Sequence, residues 1–273
     1  MLSRVISKRT LYTVPDFTAK TLPSVYKSQE QYDLVSKHQH AKLVEDLNQK
    51  VAQTQYEPLT PIELMQRLRN DKTKTHIFNN CSHLINNHLF IENIQSLNQK
   101  AGKQLAENKV LKSLFEQYGT ENLEELIFKL KQEMNERLIG QGFFHIIENS
   151  NGEITTLFSN NQGTPLISST GLKFQDLDLN GGILKPNDYK NYNNRLRDVR
   201  VALNEKAKKK LLDKKNLDEG NIPGSEFKIL AVINLWDYAF IKDFGIGNVA
   251  REEYFEQCLK NLNWNVVLKR LEI

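Results

Sequence analysis

The spacing of apolar positions changes at Gly140. Before it, apolar residues recur at three- and four-residue steps, the period of an amphipathic helix; after it they run together, as in strands. Residues 31–53, QYDLVSKHQHAKLVEDLNQKVAQ, place Leu34, Leu43, Val44 and Leu47 on one stripe. Residues 60–71, TPIELMQRLRND, open with Thr60, Pro61 and Glu63. A hydroxyl there can cap the first turn, the proline sits where its missing N–H costs nothing, and the glutamate can reach back to the cap. Residues 76–99 predict a third, more apolar helix, and 107–118 and 121–138 predict two more, parted by Gly119.

Past Gly140, residues 143–159 are rich in β-branched and aromatic side chains, with Asn151-Gly152 midway. That pair tolerates the positive φ angles of a tight hairpin, so two antiparallel strands are expected. FKILAVINLW (227–236) is apolar almost throughout, which predicts a strand at the centre of the sheet. A last helix over 248–264 starts at a capping Asn248 and packs Tyr254, Cys258, Leu259 and Leu262. The expected class is α+β: an N-terminal antiparallel helical hairpin, then a small three-stranded antiparallel sheet flanked by helices. The hairpin domain takes residues 20–105 and the α+β domain 106–273.

Residues 168–226 fit neither part. A structureless loop of that length is uncommon inside a domain, so roughly 194–215 predicts a basic helix within an insert. Its cations are Arg195, Arg197, Arg200, Lys206, Lys208, Lys209, Lys210, Lys214 and Lys215, with Tyr189 and Tyr192 nearby. They suit RNA phosphate, with the tyrosines available for stacking. Glu205 and Asp213 could instead pair with the lysines on a solvated helix, and Leu196, Val199 and Leu203 offer a protein partner an apolar face. RNA, protein and solvent all remain open as neighbours.

Net charge sharpens this little: +4, with a pI near 8.8, permits an anionic partner without requiring one. No stretch approaches the about 20 apolar residues of a membrane span. The two cysteines, Cys81 and Cys258, form no C-x-x-C pattern, so neither a disulfide framework nor a zinc ribbon is indicated. They are expected to be inert thiols in a reducing compartment. The N-terminus says more. MLSRVISKRTLYTV carries Arg4, Lys8 and Arg9, several hydroxyl residues and no acid before Asp16, with Leu2, Val5 and Ile6 close to one helical face. Residues 1–14 therefore read as a mitochondrial transit peptide, which implies the matrix.

Five local strings stand in a telling order. SKHQHAKLVEDLN (36–48), FNNCSHLINNHLFIENI (78–94), NNQGTPL (160–166), INLWDYAF (233–240) and NLNW (261–264) resemble, in turn, the strings S-K-H-H-A-A-Y-V-x-x-L-N, F-N-G-G-G-H-I-N-H-S-I-F-W-x-N-L, N-Q-D-P-L, D-x-W-E-H-A-Y and its C-terminal partner in the iron/manganese superoxide dismutases. The likeness covers about 20–168 and 226–268. In that family three histidines and one aspartate hold a redox metal, a donor set suited to iron or manganese. Carried across string by string, those four positions hold Val35, Asn87, Asn234 and Tyr238 here. The active-site tyrosine becomes Leu43, and only Gln162 keeps its identity.

The resemblance thus implies the fold without its metal, no cofactor and no enzyme activity. His38, His40, His83 and His88 are expected on polar faces or in local hydrogen bonds. A one-residue shift that turned His88 inward would rotate its side chain by about 100° and unpack its neighbours. The family's dimer contact, made by a glutamate and a histidine, is altered to Asp237 and Tyr238, which favours a different two-fold partner. Ligand-free relatives of this kind occur in the small subunit of the mitochondrial ribosome, notably in fungi, where two such chains pair. The chain resembles that group more than the enzymes. The resemblance implies a structural ribosomal protein with a related, non-identical chain as heterodimer partner, other small-subunit proteins and rRNA as further contacts, and neither a membrane nor a small-molecule substrate. The alternatives are a mitochondrial dismutase with a rebuilt metal site, or a free matrix scaffold.

Overall fold

The computed structural model describes residues 12, 22–69, 71–94, 108–149, 151–166 and 227–272. The predicted transit peptide, apart from Tyr12, and the insert at 168–226 lie outside the described residues. Everything described belongs to one compact unit, residues 1–173 with 225–273; a second unit, 174–224, lies outside them.

The first stripe folds as α1 (Gln29–Asp33), a π-helical segment (Leu34–Gln39) and α2 (His40–Val51). Ser28 caps α1 by accepting from the Gln31 N–H. Leu43, Val44 and Leu47 are buried as expected, whereas Leu34 is only half-buried. The π-helical turns insert an extra residue per hydrogen-bonded loop, so the 3.6-residue period that placed Leu34 on the stripe does not hold there. α3 (Pro61–Leu68) starts as its sequence dictates: the Thr60 hydroxyl accepts from the Glu63 N–H, and the Glu63 carboxylate accepts from the Thr60 N–H at 2.7 Å.

α4 (Thr75–Ile94) runs antiparallel to α1 and α2, since Asn87 meets Val35 and His40 while Asn80 lies against Leu43 and Lys50. Leu43, Leu47, Leu64, Met65, Ile77 and Cys81 form a core between α2, α3 and the first half of α4. The second half of α4, with Phe90, Ile91 and Ile94, belongs to a larger core built on the sheet. α5 (Lys109–Tyr118) and α6 (Leu123–Arg137) follow, capped by Asn108 and Asn122. Gly119 between them takes φ +57, the left-handed conformation that ends a helix at no steric cost to glycine.

The sheet is β1 (Gly142–Asn149), β2 (Ile154–Asn160) and β3 (Phe227–Asn234), all antiparallel, in the order β2-β1-β3. The central strand is therefore β1, not β3 as the apolar run suggested. Continuous burial reports covered faces, not paired edges. Phe143 faces α4, its ring 5.4 Å from His83, while Phe144 faces the other way onto Phe255 at 5.1 Å. The hairpin follows the Asn-Gly signal, with Gly152 at φ +80. Its loop is longer than a two-residue turn and is organised by the Asn149 side chain, which accepts from the N–H groups of Asn151 and Glu153. A bulge interrupts the β1–β3 pairing beside Leu230.

After β3 come a 3₁₀ turn (Asp237–Ala239), α7 (Ile241–Phe244), α8 (Asn248–Lys260) and α9 (Trp264–Glu272). Asn248 is the first residue of α8 and caps nothing with its side chain; the cap position belongs to Gly247, at φ +104. Tyr254, Cys258, Leu259 and Leu262 are buried as predicted. Helix α9 is an addition to the sequence reading, which closed the chain at residue 264. No described helix is long and apolar enough to cross a membrane. The α+β class, with its small antiparallel sheet and helices against it, is what the sequence predicted.

Candidate functional site

The four positions carried over as vacated ligand sites come from four separate elements, and the fold brings them together. Val35 lies in the π-helical segment, Asn87 on α4, Asn234 at the end of β3 and Tyr238 in the 3₁₀ turn. Val35, Asn87 and Asn234 are fully buried. Asn234 donates both amide hydrogens, to the Asn87 Oδ1 at 2.9 Å and to the Tyr238 hydroxyl at 2.7 Å. Its own Oδ1 accepts from the Trp236 N–H at 3.0 Å. Asn87 in turn donates to the Val35 carbonyl and to the His40 Nδ1, each at 3.3 Å. A short polar chain therefore ties both strand end and turn to the helical hairpin.

Two histidines complete the cluster, and the sequence reading placed neither inside it. His83 is four residues before Asn87, hence on the same face of α4. Its Nε2 lies 2.8 Å from the Tyr238 hydroxyl, and its ring is 4.6 Å from that of Trp236. His40 is buried at the start of α2. Both were expected on polar faces or in local bonds; they are interior because the hairpin closes over them. The i,i+4 relation between His83 and Asn87 was the signal available. His88, the residue weighed as a rotated ligand, instead lies half-exposed with its Nε2 3.2 Å from Glu92.

Proton positions follow from the network. The Tyr238 oxygen accepts from Asn234, and its hydrogen has two acceptors within reach, the His83 Nε2 at 2.8 Å when that nitrogen is unprotonated and the Asn87 Oδ1 at 3.5 Å. The Asn87 Nδ2 can only donate, so the His40 Nδ1 that receives it is unprotonated. Burial holds both imidazoles neutral, pulling each down to about 4, with His88 and His83 adding to the effect on His40. Burial likewise raises the Tyr238 phenol well above its ordinary value.

This donor set does not fit iron or manganese. The Val35 side chain has no donor atom, the two amides spend their oxygens and hydrogens on one another, on the backbone and on His40 and Tyr238, and the phenol stays protonated. The imidazole nitrogens that face the cluster, His40 Nδ1 and His83 Nε2, are each engaged in a hydrogen bond to a protein side chain. Among the described residues no group of three or more His, Cys, Asp or Glu side chains is gathered to hold a metal ion. What the arrangement does is join elements: about 1 kcal/mol net for each satisfied buried bond, and more than that lost where a partner is removed.

Of the other named positions, Leu43 is buried in the hairpin core, and the Gln162 carbonyl accepts from the Ser82 hydroxyl of α4. Asp237 accepts from Gln141 at 2.8 Å and pairs with Arg251 at 3.2 Å within its own chain, while Tyr238 turns its hydroxyl inward. Cys81 and Cys258 are buried free thiols, and burial pushes Cys81 up to about 12 and Cys258 further. The cations from Arg195 to Lys215 lie outside the described residues. No protein-family model matches the chain.

Proposed function

We propose that this chain is a non-enzymatic structural protein of the small subunit of the mitochondrial ribosome, built on an iron/manganese superoxide dismutase-like fold without its metal. The observation that carries the reading is the closed cluster. Four positions chosen only by local resemblance, from residue 35 to residue 238, meet at one buried point. Such convergence is what a shared framework would give, and the side chains found there use up their bonding capacity on the fold itself.

The face that follows the cluster along the chain supports a protein partner. Ile246 and Val249 stand 85% and 80% exposed, a few residues from the Asp237–Arg251 pair. Two large aliphatic side chains so exposed on one short stretch suit burial by a related chain. The insert cations would add contacts to small-subunit protein or rRNA phosphate.

The test is sedimentation of lysed mitochondria on a gradient at moderate salt, with detection of this chain. Co-migration with the small ribosomal subunit through a salt wash is expected. Migration near the top of the gradient would sink the ribosomal role. Stoichiometric iron or manganese in the purified protein would then favour a rebuilt dismutase, and its lack a free matrix scaffold.

A further inference from the structure

Tyr12 stands 36 residues before the helical residue that holds it, and each of its polar groups is met. The Tyr12 N–H donates to the Asn48 Oδ1 on α2 at 3.1 Å, and the Asn48 Nδ2 donates to the Tyr12 carbonyl at 3.0 Å. The phenol donates to the Leu59 carbonyl in the connection from α2 to α3. The ring packs against the hairpin core. Beside it runs a groove of about 400 Å³, lined by Ala41, Val44, Glu45, Gln49 and Ala52. Burial, with Cys81 and Glu63 adding to it, pushes the phenol up to about 12, so it stays a donor.

These contacts are of two kinds. One side-chain amide exchanges both bonds with a single residue, as two facing residues do across an antiparallel ladder. That pairing reads backbone and is blind to the side chain. The Leu59 carbonyl reads the side chain instead. A carbonyl can only accept, so tyrosine satisfies it, whereas phenylalanine fills the same space and brings no donor. The groove residues recur on α2 at three- and four-residue steps with Asn48, so one helix face presents both the amide and the wall. Backbone bonds for affinity and a side-chain pocket for choice are how a folded surface recognises an extended peptide.

We propose that this face of α2, with the Leu59 carbonyl, is a peptide-docking site that selects a tyrosine in an extended segment, and that Tyr12 of the same chain is its occupant. Being tethered, Tyr12 holds the site at an effective concentration that a free peptide must exceed. The site is closed to other tyrosine-bearing segments while residue 12 is seated, and opens to them when it is withdrawn. Tyr12, Asn48, Leu59 and the groove define it by themselves, apart from the ribosomal reading.

The test vacates the site in the full chain with Tyr12→Ala and titrates N-acetyl-tyrosinamide, which carries the N–H, the carbonyl and the phenol and little else. The Asn48 side-chain amide and the backbone amides of α2 are followed by NMR. Saturable shifts are expected in Tyr12→Ala and not in the wild type at the same concentrations. N-acetyl-phenylalaninamide should bind about tenfold more weakly, the worth of one hydrogen bond. Adding Asn48→Ala should abolish the shifts along α2. No saturable binding to the folded Tyr12→Ala chain, equal binding of the two amides, or equal binding by the wild type overturns the proposal. If Tyr12→Ala gives no dispersed spectrum, Tyr12→Phe takes its place, since it removes only the bond to the Leu59 carbonyl. N-acetyl-tyrosinamide should then displace residue 12 at a lower concentration than in the wild type. Equal concentrations for the two chains would show that the site does not choose tyrosine, and would overturn it.

Discussion

Asn234, the last residue of β3, donates from its amide to the Asn87 side-chain oxygen on α4 at 2.9 Å, across 147 residues of chain. Both side chains are fully buried, so neither can turn to water when the other is lost. Asn87→Ala and Asn234→Ala are each expected to cost about 1–3 kcal/mol, the penalty of stranding a buried polar group. The double variant should cost less than the sum, because the second truncation removes the group the first left unpaired. Urea unfolding of the four proteins gives the coupling directly. Additive losses would show that the pair contributes no mutual interaction.

The cluster also sets a pH dependence. His40 and His83, held down to about 4 by burial, bind a proton in the unfolded chain near the ordinary 6.5 but not in the fold. Between those values the unfolded state carries more protons, so stability rises with pH. The contribution is complete above about pH 6.5 and is lost as pH falls toward 4, by up to about 1.4 kcal/mol per unit for each histidine. His145, pulled by burial down to about 3, acts in the same direction. Glu92 acts lower: its bond with His88, then Arg270, holds it down to about 2 against burial, so its share is lost only between pH 4.5 and 2. Unfolding curves at pH 7.5, 6 and 5 should show a shallower slope for His83→Gln than for the wild type. An equal slope would mean that His83 takes a proton in the fold.

The parts of this structure that the sequence made legible are those governed by local rules. Thr60 with Glu63, Gly119 after Tyr118, and Asn-Gly between two β-branched runs each act within a few residues. What escaped depends on partners far along the chain. The apolar run of β3 reports two covered faces and cannot tell an edge from a centre. The π-helical segment has no local signature in LVSKHQ. His83 looks like any polar helix residue until Tyr238 arrives from 155 positions away. The site was legible as four positions and not as a network, because resemblance carries positions whereas hydrogen bonds depend on what now occupies them.

The missed helix α9 earns its place through one side chain. Arg270 donates to Asn93 Oδ1 at 2.7 Å, to the Leu230 carbonyl at 3.0 Å and to Glu92 at 2.6 Å. Leu230 is where the β1–β3 pairing breaks, so the guanidinium takes up a carbonyl beside the bulge while it clamps α4. Arg270→Met keeps much of the apolar stem and strands those acceptors, for an expected loss of about 2–3 kcal/mol. Arg270→Lys should recover little, since a single ammonium lacks the planar fork that spans Asn93, Leu230 and Glu92 together. Thermal and urea midpoints for both variants test this; a lysine variant as stable as the wild type would show that charge alone suffices.

Two glycines that look alike in the sequence should respond in different ways to alanine. At Gly119 an added Cβ meets nothing within 4 Å, and the strain is only that of a left-handed φ of +57. Gly119→Ala is therefore expected to cost about 1–2 kcal/mol. At Gly142, the first residue of β1, the added Cβ would stand 1.9 Å from the Ser159 carbonyl oxygen of β2 and 2.9 Å from Leu138 Cδ1. The obstacle there is backbone, so relief requires parting two paired strands where Gly142 lies opposite Asn160 and Phe143 opposite Ser159. Overpacking that cannot be relieved by a rotamer change costs about 3 kcal/mol or more. Gly142→Ala should therefore lower the unfolding midpoint well beyond Gly119→Ala and speed hydrogen exchange along β2. Equal midpoints for the two variants would mean that the strand pair can open at its start without disturbing the cluster that follows it.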